Sequence, residues 1–454
     1  MSKIHEDRII NVNQNEVAKN ADYVLYWMQQ SGRVTNNYAL AHAQDQAREL
    51  DLPLLVCFCF TPDYPGAQYR HFRFVLEGLK DVHSILAEKN ISFVLKAGDP
   101  TEIVPELAER AAYLVFDHSV IAPPTKWRKK ISDSVSIPIC EVVTDVIVPL
   151  KQVSEKQEYA ARTIRPKIMD QLDDYLQKVR ISSYDKLANI DNINSDIDLS
   201  RDVDSILSDY SISSEVEQYS PLFTGGEKAA KRQLSNFVDN RLKNYRSGED
   251  ITAETVDSGL SPYLQYGHIS PVDIVESVRA SNSGSKEQVD DFIEEVIVRR
   301  ELAWNFCAYA EEYDSLKDIP EWAQQTLEEH KKDDRDEIYT AEELELAKTD
   351  DKLWNACMKQ MRDQGFLHNQ LRMFWGKQIL SWTNTPEYAH KVALDLNNRF
   401  FLDGFSPNSY TNIAWLFGLH DRAWQERPVY GKVRVQTKKG VVKKIAEDSF
   451  SKRA

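Results

Sequence analysis

Five short apolar runs, separated by amphipathic stretches, fill the first third of this chain and then stop. They read YVLYWM (23–28), LPLLVCFCF (52–60), ISFVLKAG (91–98), AYLVFD (112–117) and IPICEVV (137–143). Near-continuous apolarity over so few residues predicts strands buried on both faces, and segments 35–50, 70–88 and 101–111 carry helical periodicity. Such alternation leaves few solutions other than a five-stranded parallel sheet covered by helices on both sides. No GxGxxG follows the first run and no Walker loop occurs, so the usual dinucleotide fingerprint is absent.

The rest of the chain is organised around that block. Residues 1–20 lack an apolar period and read as a flexible arm, with the α/β domain at 21–150. Residues 151–223 turn rich in Asp, Ser, Asn and Ile and read as a long interdomain linker, partly helical, crossing the surface. From TGGEKAAKRQLSNFVDNRL onward, 224–454 reads as an all-α domain. No run approaches a membrane helix, and the polar start MSKIHEDRII is no signal peptide. The five cysteines (Cys57, Cys59, Cys140, Cys307 and Cys357) are scattered and form no CxxC pair, which predicts reduced core residues, no metal site and a cytoplasmic setting. The net charge of -15 argues against a nucleic-acid partner, but it is uneven: residues 427–454 hold nine Lys/Arg against two acids, +7, leaving -22 elsewhere.

Four segments of the helical half carry chemistry. DSGLSPYLQYGHISP (257–271) is a turn followed by a helix start, where backbone N–H groups and Ser258 or Ser261 suit phosphate oxygens as well as a plain cap. In VIVRRELAWNF, Glu301 and Trp304 share a helix face, available either to one flat substrate or to surface pairing and core packing. GFLHNQLRMFWGKQILSW (365–382) places Asn369 and Arg372 one turn apart. It also puts Trp375 and Trp382 on one stripe, roughly 10 Å apart in rise. LNNRFFLDG and SPNSYTNIAW supply Asp403 as a partner for Arg372, and Asn397, Asn398 and Asn408 as groups that both donate and accept. Large aromatics beside a buried-looking arginine and several amides suggest a planar, polar, redox-capable ligand.

The ordered set LSPYL, RREL-x-W, N-x-x-R and LDG, on an α/β domain, linker and helical domain, resembles the photolyase/cryptochrome superfamily. The tokens TGGEKAA, SGLSPYLQYG, RMFWGKQILSW and LNNRFFLDG…PNS…W…FGLHDR are similar to class II cyclobutane pyrimidine dimer photolyases, over about residues 22–435. The resemblance implies a Rossmann-like sheet domain and FAD in the helical domain. Tyr245, Ser258, Gly259, Leu260 and Ser261 would flank the phosphates. Asn369, Arg372 and Gly404 would meet the flavin, Asp403 would hold Arg372, and Asn397 would lie near flavin N5.

The same resemblance implies light-driven electron transfer from reduced FAD to a dimer flipped out of UV-damaged DNA, by a carbon–carbon lyase that needs no metal. Trp304 and Trp415 would sandwich the dimer, Met373 would pack against it, and Glu301 would hydrogen-bond the base edges. Trp354, Trp375 and Trp382 would carry electrons from the surface; because Trp375 and Trp382 lie too far apart for direct contact, Trp354 would have to bridge them. Arg422, Arg427, Lys432 and Arg434 are the candidates for phosphate contacts. Asn36 and Asn37 read as a helix cap or as contacts to an antenna pigment, which would be a deazaflavin. A monomer, nucleoid-associated in a prokaryote, is expected. The alternative is a cryptochrome-like FAD photoreceptor that signals without repair.

Overall fold

The computed structural model describes residues 4–188, 193–214, 216, 219–245 and 257–442, so the expected basic end is described only to residue 442. All five expected strands form: β2 (Tyr23–Met28), β3 (Leu54–Phe60), β4 (Ser92–Ala97), β5 (Ala111–Asp117) and β6 (Ile139–Val142). They are parallel and follow a sixth, β1 (Ile9–Asn11), in the spatial order β1-β6-β5-β2-β3-β4. Helices Tyr38–Glu49, Tyr69–Glu88 and Pro100–Ala108 lie where periodicity placed them. Alternate residues of β2 serve opposite cores: Tyr23, Leu25 and Trp27 pack with Leu55, Cys57 and Phe116, while Val24, Tyr26 and Met28 pack with Leu54, Val56 and Val115.

β2 is the switch point, with β3 on one side and β5 on the other, the place where open α/β sheets usually hold ligands. Here the backbone donors after β2 are taken by the protein itself. The Asp117 carboxylate at the end of β5 accepts from the backbone N–H of Gln29, Gln30 and Ser31 at 3.0, 2.8 and 3.1 Å, and from the Tyr26 hydroxyl at 3.0 Å. A fixed side-chain anion occupies the backbone donors that could otherwise cradle a phosphate, which gives a physical reason for the missing glycine fingerprint.

Two expectations need correction. The segment before residue 20 is not a loose arm throughout, because β1 pairs antiparallel with β6. The buried guanidinium of Arg8 fastens it, donating to the carbonyls of Val143, Val146, Ile147 and Tyr175. The linker is also more than a surface crossing. Ile164 and Ile168, on helix Ala161–Met169, are fully buried in the helical half, and Ile206 and Leu207 cover the sheet half. Near residue 195 it shields the open edge of β4, where Asp196 N–H donates to Leu95 O and Leu95 N–H to Ser195 Oγ.

The helical half holds two apolar clusters, one around Phe237, Tyr263 and Val296 and one around Trp354, Trp375 and Phe401. The candidate site opens between them. Removing the Arg8 cation strands four buried carbonyls, so Arg8→Met should lower unfolding free energy by about 2–4 kcal/mol. Urea denaturation measures it; a loss below roughly 0.5 kcal/mol, the level of an ordinary surface substitution, would mean that β1 is held by something else.

Candidate active site

One wall of the cavity is the 257–261 turn. Gly259 has a φ of 68°, a conformation that favours glycine. Ser258 Oγ accepts from Leu260 N–H at 3.3 Å, and Gln233 Nε2 donates to the Ser258 carbonyl at 2.6 Å. The facing wall is helix Asn369–Ser381, capped by His368 Nδ1, which accepts from Gln370 N–H. Arg372, one turn in, is held on three sides. Its Nη1 donates to both Asp403 carboxylate oxygens at 3.0 and 3.2 Å. Nε and Nη2 donate to Asn397 Oδ1 at 3.2 and 2.6 Å, and the guanidinium lies 3.8 Å from the Phe401 ring centre. Arg372 therefore shares its hydrogen bonds between a carboxylate and an amide rather than forming a two-pronged fork with Asp403.

Tyr245, Ser258, Gly259, Leu260, Ser261, Asn369, Arg372 and Asp403 all line this one cavity. Asn397 does not line it but is fully buried behind Arg372, with Nδ2 donating to Asn398 Oδ1 at 3.0 Å. Gly404 is also outside the lining; a Cβ there would come within 2.5 Å of the Asn398 carbonyl, so close backbone packing requires the glycine. The sequence reading passed over Asp257, Glu295, Arg299, His368 and Asn412, which line the cavity too. Burial raises the Asp257 carboxyl above its ordinary value, with His368 opposing.

Glu301 and Trp304 do share a face, but that face meets the sheet half and not the main cavity. Glu301 Oε1 accepts from Ile147 N–H at 2.6 Å, and Oε2 is buried without a partner. Burial pushes its carboxyl up to about 7, opposed by the Ile147 N–H and by Arg300. Trp304 packs on Val143, Val146 and Leu150, and borders a small inner chamber beside Asp145, Arg300 and Asn408. The Trp415 ring has other neighbours, Lys377 Nζ at 5.1 Å and Arg434 Cζ at 5.7 Å from its centre. Met373 packs against the cluster containing Trp354 and is not in the cavity lining.

The three tryptophans expected to act in series are in contact. The Trp354 ring lies 6.4 Å from Trp375, nearly parallel at 11°, and 5.4 Å from Trp382, edge-on at 76°. Trp375 and Trp354 are fully buried, and Trp382 reaches partial exposure against Tyr339. Trp354 bridges the other two, as the rise along the helix requires. Arg422, Arg427, Lys432 and Arg434 are exposed in the loop after helix Pro407–Leu416. Trp424 is 38% exposed with Arg422 and Arg434 against its ring, giving a cationic, aromatic surface.

The cavity joins backbone and hydroxyl donors on one wall to a guanidinium and amides on the other, with Tyr245 and Phe292 between them. That donor set fits a flat heterocycle carrying an anionic chain. The DNA photolyase family model matches residues 24–182. A deoxyribodipyrimidine photo-lyase of Methanothermobacter thermautotrophicus is 37% identical, covering 98% of this chain and 98% of its own. One from Potorous tridactylus is 35% identical, covering 94% of this chain and 80% of its own. In fold, the chain is similar to an archaeal photolyase from Sulfolobus tokodaii solved with two FAD molecules, with a TM-score of 0.68 at 16% identity over 95% of this chain and 89% of that one. The chain belongs to the DNA photolyase family.

Glu301 yields a prediction on stability. A carboxyl raised on folding contributes stability that is complete below its unfolded value, near 4.5, and is lost as pH rises through about 7. The loss is roughly 1.4 kcal/mol per pKa unit. Glu301→Gln should flatten the fall in stability across this range, as read by urea denaturation at several pH values. An unchanged slope would show that Glu301 is not the group responsible.

Proposed function

We propose that the chain is a class II cyclobutane pyrimidine dimer photolyase, a light-driven carbon–carbon lyase that holds FAD in the cavity between the two helical clusters and acts on UV-damaged DNA. The observation that carries the proposal is the continuous indole series from partly exposed Trp382 through Trp354 to Trp375, ending one helical turn from Arg372 on the cavity wall. FAD supplies, when bound, the photoexcited electron that opens the cyclobutane ring. The protein's work is to bind, orient and supply electrons.

In this reading the 257–261 turn binds the diphosphate through N–H and hydroxyl groups, and Asn369 and Arg372 face the heterocycle. Asp403 and Asn397 fix Arg372, so its positive charge is already oriented before the cofactor enters. Glu295 is the helix carboxylate that lines the cofactor cavity, while Glu301, the sequence's candidate for the base edges, accepts from Ile147 N–H. Trp415, Met373 and Trp424 meet the lesion and its strand, with Arg422, Arg427, Lys432 and Arg434 toward phosphates. A fused dimer stacks and pairs poorly, which lowers the cost of flipping it out.

A second pigment of the deazaflavin type would occupy the aromatic cavity at the ends of β2 and β3, among Gln30, Phe60, Tyr64, Trp127, Tyr266 and Phe405. Asn36 and Asn37 have other work. Asn37 Oδ1 caps helix Tyr38–Glu49, and Asn36 Oδ1 accepts from Val179 N–H.

Blue light on the purified protein with a dimer-containing oligothymidine should restore thymine absorbance, and darkness should not. Flavin binding without repair would instead assign the chain to the signalling photoreceptors. Trp354→Phe should slow flavin photoreduction by roughly tenfold or more while leaving repair by pre-reduced enzyme intact. Equal loss of both would indicate damage to the cavity rather than to the electron supply.

A further inference from the structure

We propose that Lys377 is a positioning residue for electron supply: standing beside the Trp415 ring, it keeps that indole from donating and confines entry to Trp382, Trp354 and Trp375. The inference rests on the photolyase reading above. Lys377 is fully buried, two residues after Trp375. The preceding Gly376 lets the two helices touch, since a Cβ there would lie 2.3 Å from Leu416 Cδ1. This contact carries the lysine to the end of helix Pro407–Leu416, where Nζ donates to the Leu416 carbonyl. A cation is favoured at that end, where helix carbonyls lack partners.

Trp415 is the obvious competing donor. It continues the stripe of Asn408 and Asn412, both of which line the cavity. When photoexcited flavin takes one electron from an indole, the indole is left as a radical cation, and a thiol in solution returns the electron. The net flow is thiol to flavin through the most easily oxidised tryptophan within reach. Positive charge near a ring favours the neutral indole and opposes its radical cation. Trp415 has Lys377 Nζ at 5.1 Å and Arg434 Cζ at 5.7 Å. Among the described residues, no cation lies over the rings of Trp354, Trp375 or Trp382. Trp354 Nε1 donates instead to the Trp375 carbonyl at 2.8 Å, a dipole that stabilises positive charge on the indole. Cation placement thus sorts donors from non-donors.

The groups facing Lys377 are the Leu416 carbonyl and Trp415 ring, Asp421 and Arg434 from the following loop, and Tyr430, whose hydroxyl donates to the Lys377 carbonyl. Burial pushes the ammonium down to about 7, Asp421 opposing and Arg434 reinforcing. The charge beside Trp415 is therefore complete well below that pH and fades above it, leaving Arg434.

The test uses flavin-loaded Trp375→Phe protein, in which the main route is cut, with a thiol under anaerobic blue light and flavin bleaching as the readout. Bleaching should be minimal near about pH 6 and rise several-fold by about pH 8.5. Trp375→Phe/Lys377→Met should bleach at the higher rate at both pH values, and adding Trp415→Phe should return it to the minimum. A flat pH series in Trp375→Phe, or no gain on removing Lys377, overturns the proposal. If Lys377→Met does not fold, the pH series with and without Trp415→Phe decides it. Failure of the unsubstituted protein to bind flavin or to photoreduce would overturn the photolyase reading itself, a result distinguishable from failure of the lysine's role.

Discussion

The placement of the cavity depends on charged side chains from one half of the molecule ending on main-chain groups of the other. Arg70, on the sheet-half helix Tyr69–Glu88, donates to the carbonyls of Met361, Arg362 and Phe400. Arg33 Nη1 donates to the Gly267 carbonyl, and the Glu227 carboxylate accepts from the N–H of Val34 and Thr35. A buried charge is costly unless its hydrogen bonds are made, so such contacts tolerate few relative placements of the two halves. Met361, Phe400 and Gly267 all lie within a few residues of segments that form the cavity walls. The interface that joins the halves therefore also sets the walls.

This interface explains where sequence reasoning succeeds and where it does not. The five parallel strands were legible because burial on both faces leaves a strong local pattern. β1 was not, since three residues give no pattern and its anchor, Arg8, finds its carbonyls more than 130 positions away. The buried linker residues Ile164, Ile168, Ile206 and Leu207 were diluted among Asp and Ser. At the site, Arg372 with Asp403 was legible because an arginine beside large aromatics needs an anion. Glu301 marks the geometric limit of such reasoning. Periodicity tells which residues share a face, but not what that face meets. Glu295 was hidden further by a local π-helical turn, Glu294–Arg299, whose wider winding breaks the 3.6-residue count before Glu301 is reached.

The Trp354 bridge was legible because it followed from a distance rather than a pattern. Seven residues of helix separate Trp375 and Trp382 by more than ring contact, so any working series needs a third ring from elsewhere. Helix Lys352–Gln364 supplies it, and the Trp354 indole N–H is satisfied on the Trp375 carbonyl. One residue thus packs a core, closes a backbone hydrogen bond at the neighbouring helix and joins two rings. Such economy is expected where a conducting path crosses a close-packed interior, because each ring must also fill volume, although the buried Trp375 indole N–H is left without a partner.

The same requirement bears on why the tryptophan-rich segment is dense without being uniform. Indoles are interchangeable as filling, and a core built from them alone would offer many competing routes for charge. What distinguishes them here is the polar group placed beside each: a carbonyl at Trp354, cations at Trp415 and Trp424, and Arg300 5.9 Å from the Trp304 ring. Buried cations are expensive, and a lysine with no exposure is more so than an arginine, which sheds water more readily. A lysine at position 377 is hard to attribute to packing, since a methionine fills similar volume without the desolvation cost. The Leu416 carbonyl gives the ammonium a partner, and the ring beside it gives the charge something to act on.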